Sequence, residues 1–238
     1  MAVRAEPMDR AALLERLSRH RMLRFVQPAD LEHLISYAQP RVLRRRARLF
    51  ATGDAGTSGY VVLSGWIKLS RGGPSGRDMV LEVAGPGTFF GELAVICGLP
   101  RAADAIALTP AQMLAIDGRA LMAMLRQNPD ASLELVRMLG ERLAHTTIQM
   151  EDTLFRPAEA RLARALARLA ALDPIATGRE LRINLWLSQR ELGEMTGLSR
   201  ESINKQLSVW RDSGVVRMRG GTVTLIDGAA LSEIAEAV

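Results

Sequence analysis

Cysteine, histidine and long apolar runs are all scarce in this sequence of 238 residues. A single cysteine, Cys97, excludes an intrachain disulfide, a four-cysteine zinc site and a cysteine-bound iron–sulfur cluster. The three histidines, His20, His33 and His145, show no metal-ligand spacing. No run of about 18 uncharged apolar residues occurs, and the first twenty residues interleave charge with leucine and alanine. We therefore expect a soluble, cytoplasmic protein with no metal, no membrane contact and no secretion signal.

The composition bounds the class of protein further. Apolar residues make up 48% of the chain, and 31 basic against 26 acidic residues give a net charge of +5. This length can bury a large core or form two modest domains. The mild positive excess is compatible with a polyanionic partner but does not require one. No serine–histidine–aspartate set or paired carboxylates suggest catalysis, so we do not expect an enzyme.

Residues 40–117 have a sequence pattern typical of a β-domain. Runs such as YVVLSGWIKLS (60–70) and MVLEVAGPG (79–87) alternate in polarity, and glycines interrupt them every few residues. This pattern is typical of short antiparallel strands joined by tight turns. It predicts a β-roll or a small barrel.

A glycine-poor stretch follows Gly118, and its small or apolar residues are spaced by three and four. They are Val136, Leu139, Leu143, Thr146, Met150 and Thr153. This spacing predicts a helix seam that packs against a partner helix, and the alternative is a helix lying on its own β-domain. Pro157 interrupts the pattern and predicts the first turn of a new helix.

The segment LSQRELGEMTGLSRESINKQLSVWRDSG (187–214) predicts two short helices. Ser188 and Glu191 have the spacing of a capping box, Gly197 allows a sharp turn, and Ser199 can cap the second helix. A hairpin with Gly220-Gly221 at its turn is predicted to follow. Together these elements indicate a winged helix-turn-helix, whereas a merely solvated helix face is the alternative.

Such a unit reads DNA through the first turn of its second helix. Arg200 could contact guanine, Glu201 could accept from cytosine, and Lys205 could reach a further base or a phosphate. At the start of the preceding helix, Ser188, Gln189 and Arg190 could hold backbone phosphates.

The same segment resembles the DNA-reading domain of the Crp/Fnr superfamily of bacterial transcription regulators. Ser199, Arg200 and Glu201 match the triplet that opens the family's recognition helix, and Lys205 stands where arginine is usual. The resemblance implies a homodimer on double-stranded DNA with palindromic, TGTGA-like half-sites, and RNA polymerase as a further partner. Lys205 leaves the inner bases of that motif open.

A second stretch, FFGELAVICGLPRAADA (89–105), places Glu92 and Arg101 in an apolar run. Either a small anionic ligand or an exposed ion pair would account for two such charges. The stretch resembles the phosphate-binding cassette of the superfamily's cyclic-nucleotide-binding domains. That resemblance implies that Glu92 accepts from the ribose hydroxyl and that Arg101 pairs with the cyclic phosphate. Backbone N–H groups around Gly91, Leu93 and Ala102 would complete the cradle.

The resemblance also assigns roles on the long helix and to the residue after Arg101. It places Thr146 and Thr147 against adenine, one from each subunit, and brings Arg142 close to the ligand. Ala102 is the residue that the regulatory subunits of cyclic-AMP-dependent kinase carry, so it favours cyclic AMP over cyclic GMP. We interpret Cys97 as a small apolar filler of the cassette helix.

We therefore predict an α+β protein that combines three segments. These are an N-terminal double-stranded β-helix of jelly-roll type with N-terminal helices (1–117), which binds a cyclic nucleotide, a long dimerisation helix (118–154) and a winged helix-turn-helix (155–238). The predicted function is a dimeric transcription regulator in which cyclic AMP shifts the dimer to a DNA-binding conformation. A cyclic-GMP-responsive or nucleotide-independent regulator and a haem or redox sensor are the alternatives.

Overall fold

The computed structural model describes residues 9–73, 78–172, 175–177, 180–183, 187–219 and 222–237. The chain divides into two compact units, which are described separately below. The first comprises Met1–Arg71 and Glu82–Ala144, and the second comprises Gly72–Leu81 and His145–Val238. None of the described helices combines the length and the apolar content that a bilayer crossing requires.

Eight of the described strands form two antiparallel four-stranded sheets, which confirms the predicted β-roll. The strands are β1 (Gln39–Leu43), β2 (Arg48–Phe50), β3 (Ser58–Ser64), β4 (Ile67–Gly72), β5 (Asp78–Ala84), β6 (Phe89–Phe90), β7 (Asp104–Ala107) and β8 (Ala111–Asp117). One sheet has the order β1-β8-β3-β6 and the other has the order β2-β7-β4-β5. In the first sheet, Tyr60 of β3 lies opposite both Ala115 and Phe90, so its ring comes from the middle of the sheet.

Helices pack against the first of these sheets. They are α1 (Arg10–Ser18), a 3₁₀ turn (Leu23–Phe25), α2 (Pro28–Ser36), α3 (Glu92–Cys97), α4 (Gly118–Gln127) and α5 (Pro129–Phe155). Leu17, Leu31 and Leu121 from these helices share a buried cluster with Phe89 and Ile116 from the sheet. The polar faces of α1 and α2 are exposed, which matches the charges interleaved in their sequence.

The stretch predicted as one long helix over 118–154 contains two helices. Asp117 caps α4 by accepting from the N–H groups of Arg119 and Ala120, and the helix ends at Gln127 with Asn128 as its C-cap. Pro129 then opens α5, as expected of a residue whose missing N–H is unneeded in the first turn.

Apolar side chains form an exposed stripe along α5. Members at heptad-like spacing are Leu133, Val136, Leu143, Met150 and Leu154, and Phe155 adjoins the last of them. The described part of the chain does not cover this stripe, whereas Leu139 of the predicted seam packs against the buried cluster of the β-domain. A partner helix as its cover remains a prediction.

The second unit contains the winged helix-turn-helix. Its elements after α5 are α6 (Ala158–Leu172), β9 (Ile175–Thr177), β10 (Glu180–Ile183), α7 (Gln189–Thr196), α8 (Arg200–Asp212), β11 (Val216–Arg219), β12 (Thr222–Leu225) and α9 (Gly228–Glu236). The antiparallel pair β11 and β12 forms the predicted hairpin, although the turn glycines at 220 and 221 lie outside the described residues. Leu162 and Leu166 of α6 are buried, as are Ile203, Leu207 and Trp210 of α8.

A buried carboxylate joins the end of α5 to α6. Asp152 lies 3.2 Å from Arg156, 3.0 Å from Arg164 and 3.3 Å from Arg168, and its side chain is only 6% exposed. Arg156 also donates to the carbonyl of Ala237, which ties the last residues of the chain to this cluster. Sequence analysis missed this cluster, because its charges read locally as ordinary helix-surface residues.

A buried histidine closes the loop between α1 and the 3₁₀ turn. His20 Nδ1 accepts from the backbone N–H groups of Met22 (3.2 Å) and Leu23 (3.4 Å). Burial lowers the pKa of His20 from 6.5 to about 4, since the charged imidazolium is poorly solvated there. Folding therefore favours the neutral ring.

We expect His20 to make folding sensitive to mild acid. The pKa of His20 is lower in the folded than in the unfolded protein. The stability that this difference contributes is therefore fully present above pH 6.5 and is lost as the pH falls toward 4. Between pH 7 and pH 5 this loss should be about 2 kcal/mol of unfolding free energy. His20→Asn keeps an acceptor near the Nδ1 position but cannot titrate, so its urea unfolding should vary less with pH. Equal pH slopes for both proteins would contradict this assignment.

Candidate functional site

Gly91 lies at the centre of the first candidate site and contacts both predicted ligand-binding residues. It has a left-handed backbone conformation (φ 78°) and precedes α3, so the side chain of the next residue, Glu92, projects from the first turn of that helix. The carbonyl of Gly91 accepts from Nη1 of Arg101 at 2.7 Å. The structure thus brings the two predicted ligand-binding charges to opposite sides of one glycine.

Arg101 is a buried cation without a full set of acceptors. Only 5% of it is exposed, and its Nη1 and Nη2 donate to the carbonyls of Gly91 and Ser58. Its guanidinium lies 4.3 Å above the ring of Phe50 and 5.4 Å from that of Tyr60, within the range of cation–π attraction. Burial lowers the pKa of Arg101 despite the opposing attraction of Tyr60 and Glu92, and Nε has no hydrogen-bond partner among the described residues.

Glu92 is more deeply buried, at 1% exposure. Its Oε1 accepts from Arg142 Nη1 at 2.6 Å, whereas its Oε2 has no hydrogen-bond partner within the described part of the chain. Arg142 also lies 2.8 Å from Glu82 and donates to the carbonyl of Phe89 at 3.0 Å. Burial raises the pKa of Glu82, and the Glu92 carboxylate acts in the same direction.

These residues have the donors and acceptors that a cyclic nucleotide needs. A guanidinium can pair with a cyclic phosphate, and a carboxylate oxygen can accept from a ribose hydroxyl. Two glycines leave the necessary room, because a Cβ on Gly91 would lie 2.7 Å from Arg101 Nη1 and one on Gly56 would lie 3.0 Å from Arg101 Nε. The buried unpartnered atoms, Glu92 Oε2 and Arg101 Nε, are therefore in keeping with a polar ligand.

The other predicted ligand contacts are more dispersed. Leu93 and Ala102 are exposed beside Glu92 and Arg101. Thr146 is half-buried and Thr147 is exposed on α5, in the second unit. The interpretation of Cys97 as an apolar filler is wrong, since its side chain at the end of α3 is exposed and the neighbouring Ala94 and Val95 pack inward instead.

Sequence analysis missed several residues of this site. The residues missed lie 41 to 60 positions from the charge they contact, and they are Glu82, Ser58, Gly56, Phe50 and Tyr60. Their proximity depends on the pairing of β3 with β6 and on the return of the chain after α3. The one local signal was Glu82, a charge between the apolar residues Leu81 and Val83 of β5.

The second candidate site is the exposed face of α8. Ser188 and Glu191 form the predicted capping box at α7, and Ser199 caps α8 by accepting from the N–H of Ser202. Gly197 turns the chain between the two helices with a φ of 70°. As a result, Arg200, Glu201, Asn204 and Lys205 are all exposed on the first two turns of α8.

Two contacts order the start of α7 beside that face. Gln189 donates to Asn204 Oδ1 at 2.9 Å, which links α7 to α8. Arg190 pairs with Glu194 at 2.9 Å, and this hydrogen bond raises the pKa of Arg190. The ion pair therefore holds the Arg190 side chain along α7. The Gln189–Asn204 contact was not predicted from the sequence.

Comparison with known proteins gives the same division of the chain. Residues 40–128 match the model of the cyclic nucleotide-binding domain, and residues 160–234 match that of the Crp-like helix-turn-helix domain. The fold and the two sites thus define a cyclic-nucleotide-binding transcription regulator. The chain belongs to the Crp family.

Similar proteins include characterised regulators. The chain is 32% identical to the CRP-like cAMP-activated global transcriptional regulator of Mycobacterium tuberculosis, covering 92% of this chain and 97% of that protein. It is 30% identical to the cyclic AMP receptor protein of Thermus thermophilus, covering 87% and 93%. The structure of the c-di-GMP responsive global regulator CLP of Xanthomonas campestris is similar with a TM-score of 0.71, at 25% identity over 84% of this chain and all of that one.

Two glycine substitutions should separate backbone strain from crowding at the site. Gly91→Ala adds a Cβ 2.7 Å from Arg101 Nη1, whereas Gly98→Ala, at a similar φ of 64°, meets nothing within 4 Å. Both variants should lose about 1 kcal/mol of unfolding free energy through left-handed strain, and Gly91→Ala should lose at least about 1 kcal/mol more. Denaturant unfolding of both variants measures the difference. Equal losses of unfolding free energy would show that Arg101 moves away from the added Cβ at no cost.

Proposed function

We propose that this protein is a homodimeric transcription regulator that a cyclic nucleotide, with cyclic AMP the first choice, switches to its DNA-binding conformation. The observation that carries the proposal is the pair of buried opposite charges on either side of Gly91. Glu92 and Arg101 are each at least nine-tenths buried, and each keeps a polar atom without a partner in the described chain. Burial of such atoms is costly unless a ligand completes them.

The roles of the site residues follow from this geometry and from the family. Arg101, together with the backbone around Gly91, Leu93 and Ala102, would hold the cyclic phosphate, and Glu92 would accept from the ribose. We assign Arg142, Thr146 and Thr147 to the base. Arg142 and Thr146 are four residues apart and therefore lie on one face of α5. The regulators of M. tuberculosis and T. thermophilus, named for cyclic AMP, support this choice of base.

The exposed apolar stripe of α5 supports the dimer. Its members recur at coiled-coil spacing and are exposed in the described part of the chain, which is costly in water unless a second helix packs on them. Two copies of α8 would then face successive major grooves of palindromic double-stranded DNA. Switching a population from 1% to 99% active needs a differential affinity of about 10⁴, or about 5.5 kcal/mol, which two nucleotide sites could share. We expect RNA polymerase to be a further partner in the cytoplasm.

A nucleotide-independent regulator is the second candidate. In this structure Arg142 already pairs with Glu92, and two carbonyls already accept from Arg101, so the site holds its charges without a ligand. A protein of this kind would bind DNA equally well with or without a nucleotide. A relative described as responsive to c-di-GMP also supports testing nucleotides other than cyclic AMP.

Calorimetric titration of the full chain with cyclic AMP, cyclic GMP and c-di-GMP tests the proposal. Cyclic AMP should bind, and Arg101→Gln should weaken that binding at least about 10-fold, since a charge-assisted phosphate contact contributes about 1.5–3 kcal/mol. Arg41→Gln, on the exposed strand β1, is the matched control and should bind like the parent. Thermal unfolding confirms that each variant folds. If the parent protein bound none of the three nucleotides, the nucleotide-independent candidate would replace the proposal.

The reading of bases by α8 can be tested without knowing the operator. Selection of bound sequences from randomised double-stranded DNA should yield a palindromic motif. Glu201→Gln should lose preference at one position in each half-site, because an acceptor for cytosine is altered there, at a cost of about 1–3 kcal/mol. Asp212→Asn, at the far end of α8, should leave the motif unchanged. An unaltered motif in Glu201→Gln would remove this contact from the proposal.

A further inference from the structure

Three charged side chains form a continuous series of ion pairs beside the candidate ligand site. Glu82 of β5 lies 2.8 Å from Arg142 Nε, and Arg142 Nη1 lies 2.6 Å from Glu92. All three belong to the first unit, yet they come from a strand, a long helix and the first turn of a short helix. The family assignment of the ligand site gives no role to Glu82.

Glu82 and Glu92 contact different nitrogens of the Arg142 guanidinium. Its Nε lies 2.8 Å from Glu82 Oε2 without a hydrogen bond, its Nη1 donates to Glu92, and its Nη2 donates to the carbonyl of Phe89 and, at 3.4 Å, to Glu82 Oε1. Each nitrogen of the planar fork therefore lies close to an oxygen of the protein. Glu82 and the carbonyl of Phe89 thus hold the guanidinium of Arg142 in one orientation, in which Nη1 contacts Glu92.

That orientation determines which oxygen of Glu92 is available. An arginine and a carboxylate that meet freely tend to pair through two parallel hydrogen bonds, which occupy both oxygens. Here Arg142 takes only Oε1, and Oε2 has no hydrogen-bond partner in the described part of the chain although it is buried. The engagement of Arg142 by Glu82 accounts for the single contact.

We propose that Glu82 is a positioning residue of the nucleotide site: by engaging Arg142 it limits that arginine to one oxygen of Glu92 and keeps the other oxygen open for the ribose 2′-hydroxyl. The inference rests on the proposed function, since it concerns the same site. It adds a residue that acts through Arg142 without touching the ligand. Replacing Glu82 would free Arg142 to take both oxygens of Glu92.

A comparison of cyclic nucleotides with and without the 2′-hydroxyl isolates this role. Cyclic AMP, cyclic GMP and their 2′-deoxy analogues are titrated into the parent, Glu82→Gln and Glu141→Gln. The control, Glu141, neighbours Arg142 on α5 but pairs with Arg21 at 2.7 Å and is exposed. In the parent, removing the hydroxyl should weaken binding at least about 10-fold, as expected of a hydrogen bond to a buried carboxylate.

In Glu82→Gln the expected pattern is selective. Affinity for the nucleotide that carries the hydroxyl should fall about 10-fold, whereas affinity for the 2′-deoxy analogue should change by less than about twofold, because that analogue makes no hydrogen bond to Glu92. Glu141→Gln should match the parent with every compound. Thermal unfolding of the variants checks that they fold.

The other outcomes are each decisive. Equal weakening of both compounds would make Glu82 a merely structural residue, and no weakening of either would show that Arg142 needs no second carboxylate. Both results overturn the inference and leave the proposed function intact, since the parent still binds. If the parent bound none of the nucleotides, the proposed function and the inference would fail together.

Discussion

A left-handed glycine between two buried charges is the constraint on which the nucleotide site depends. At φ 78°, Gly91 turns the chain so that its own carbonyl accepts from Arg101 while the next residue opens α3 with a buried carboxylate. A side chain at this position would meet both the guanidinium and the ring of Tyr60. Glycine is therefore required for two reasons, its backbone conformation and the space that Arg101 occupies.

The charges around this glycine are balanced in a way that suits a switch. Isolated burial of either charge would be prohibitive, so the fold supplies Arg142 for Glu92, and carbonyls and aromatic faces for Arg101. Neither arrangement is complete, since each charge keeps one polar atom without a partner in the described residues. The contacts present limit the cost of burying the two charges, and under the proposed function a nucleotide would complete them. A fully satisfied site would resist a ligand, whereas an unsatisfied one would cost too much stability.

Much of this could be predicted from the sequence, for reasons that differ between the two units. The helix-turn-helix depends on local signals, namely Ser188 with Glu191, Gly197 and Ser199, and the structure contains each of these contacts. The alternation of β3 and β5 likewise predicted strands. The partners of the buried charges could not be predicted from the sequence. Glu82, Ser58 and Phe50 approach Arg142 or Arg101 only because the strands pair into sheets. Cys97 was misjudged, since an apolar neighbourhood in sequence does not tell which face of a short helix is buried.

Helix α5 carries one charge cluster at its middle and another near its C-terminal end, and this bears on how a ligand could act. Arg142, in the first unit, is fixed by Glu82 and Glu92, and Asp152, in the second, is fixed by three arginines. The exposed stripe of the same helix runs past both clusters. Under the proposed function, a ribose hydroxyl bound to Glu92 would change the restraint on Arg142. Because a continuous helix resists bending, that change would alter how α5 packs against whatever covers the stripe. The cost of re-pairing two buried carboxylates, several kcal/mol if either lost its cation, is of the size that a two-state switch requires.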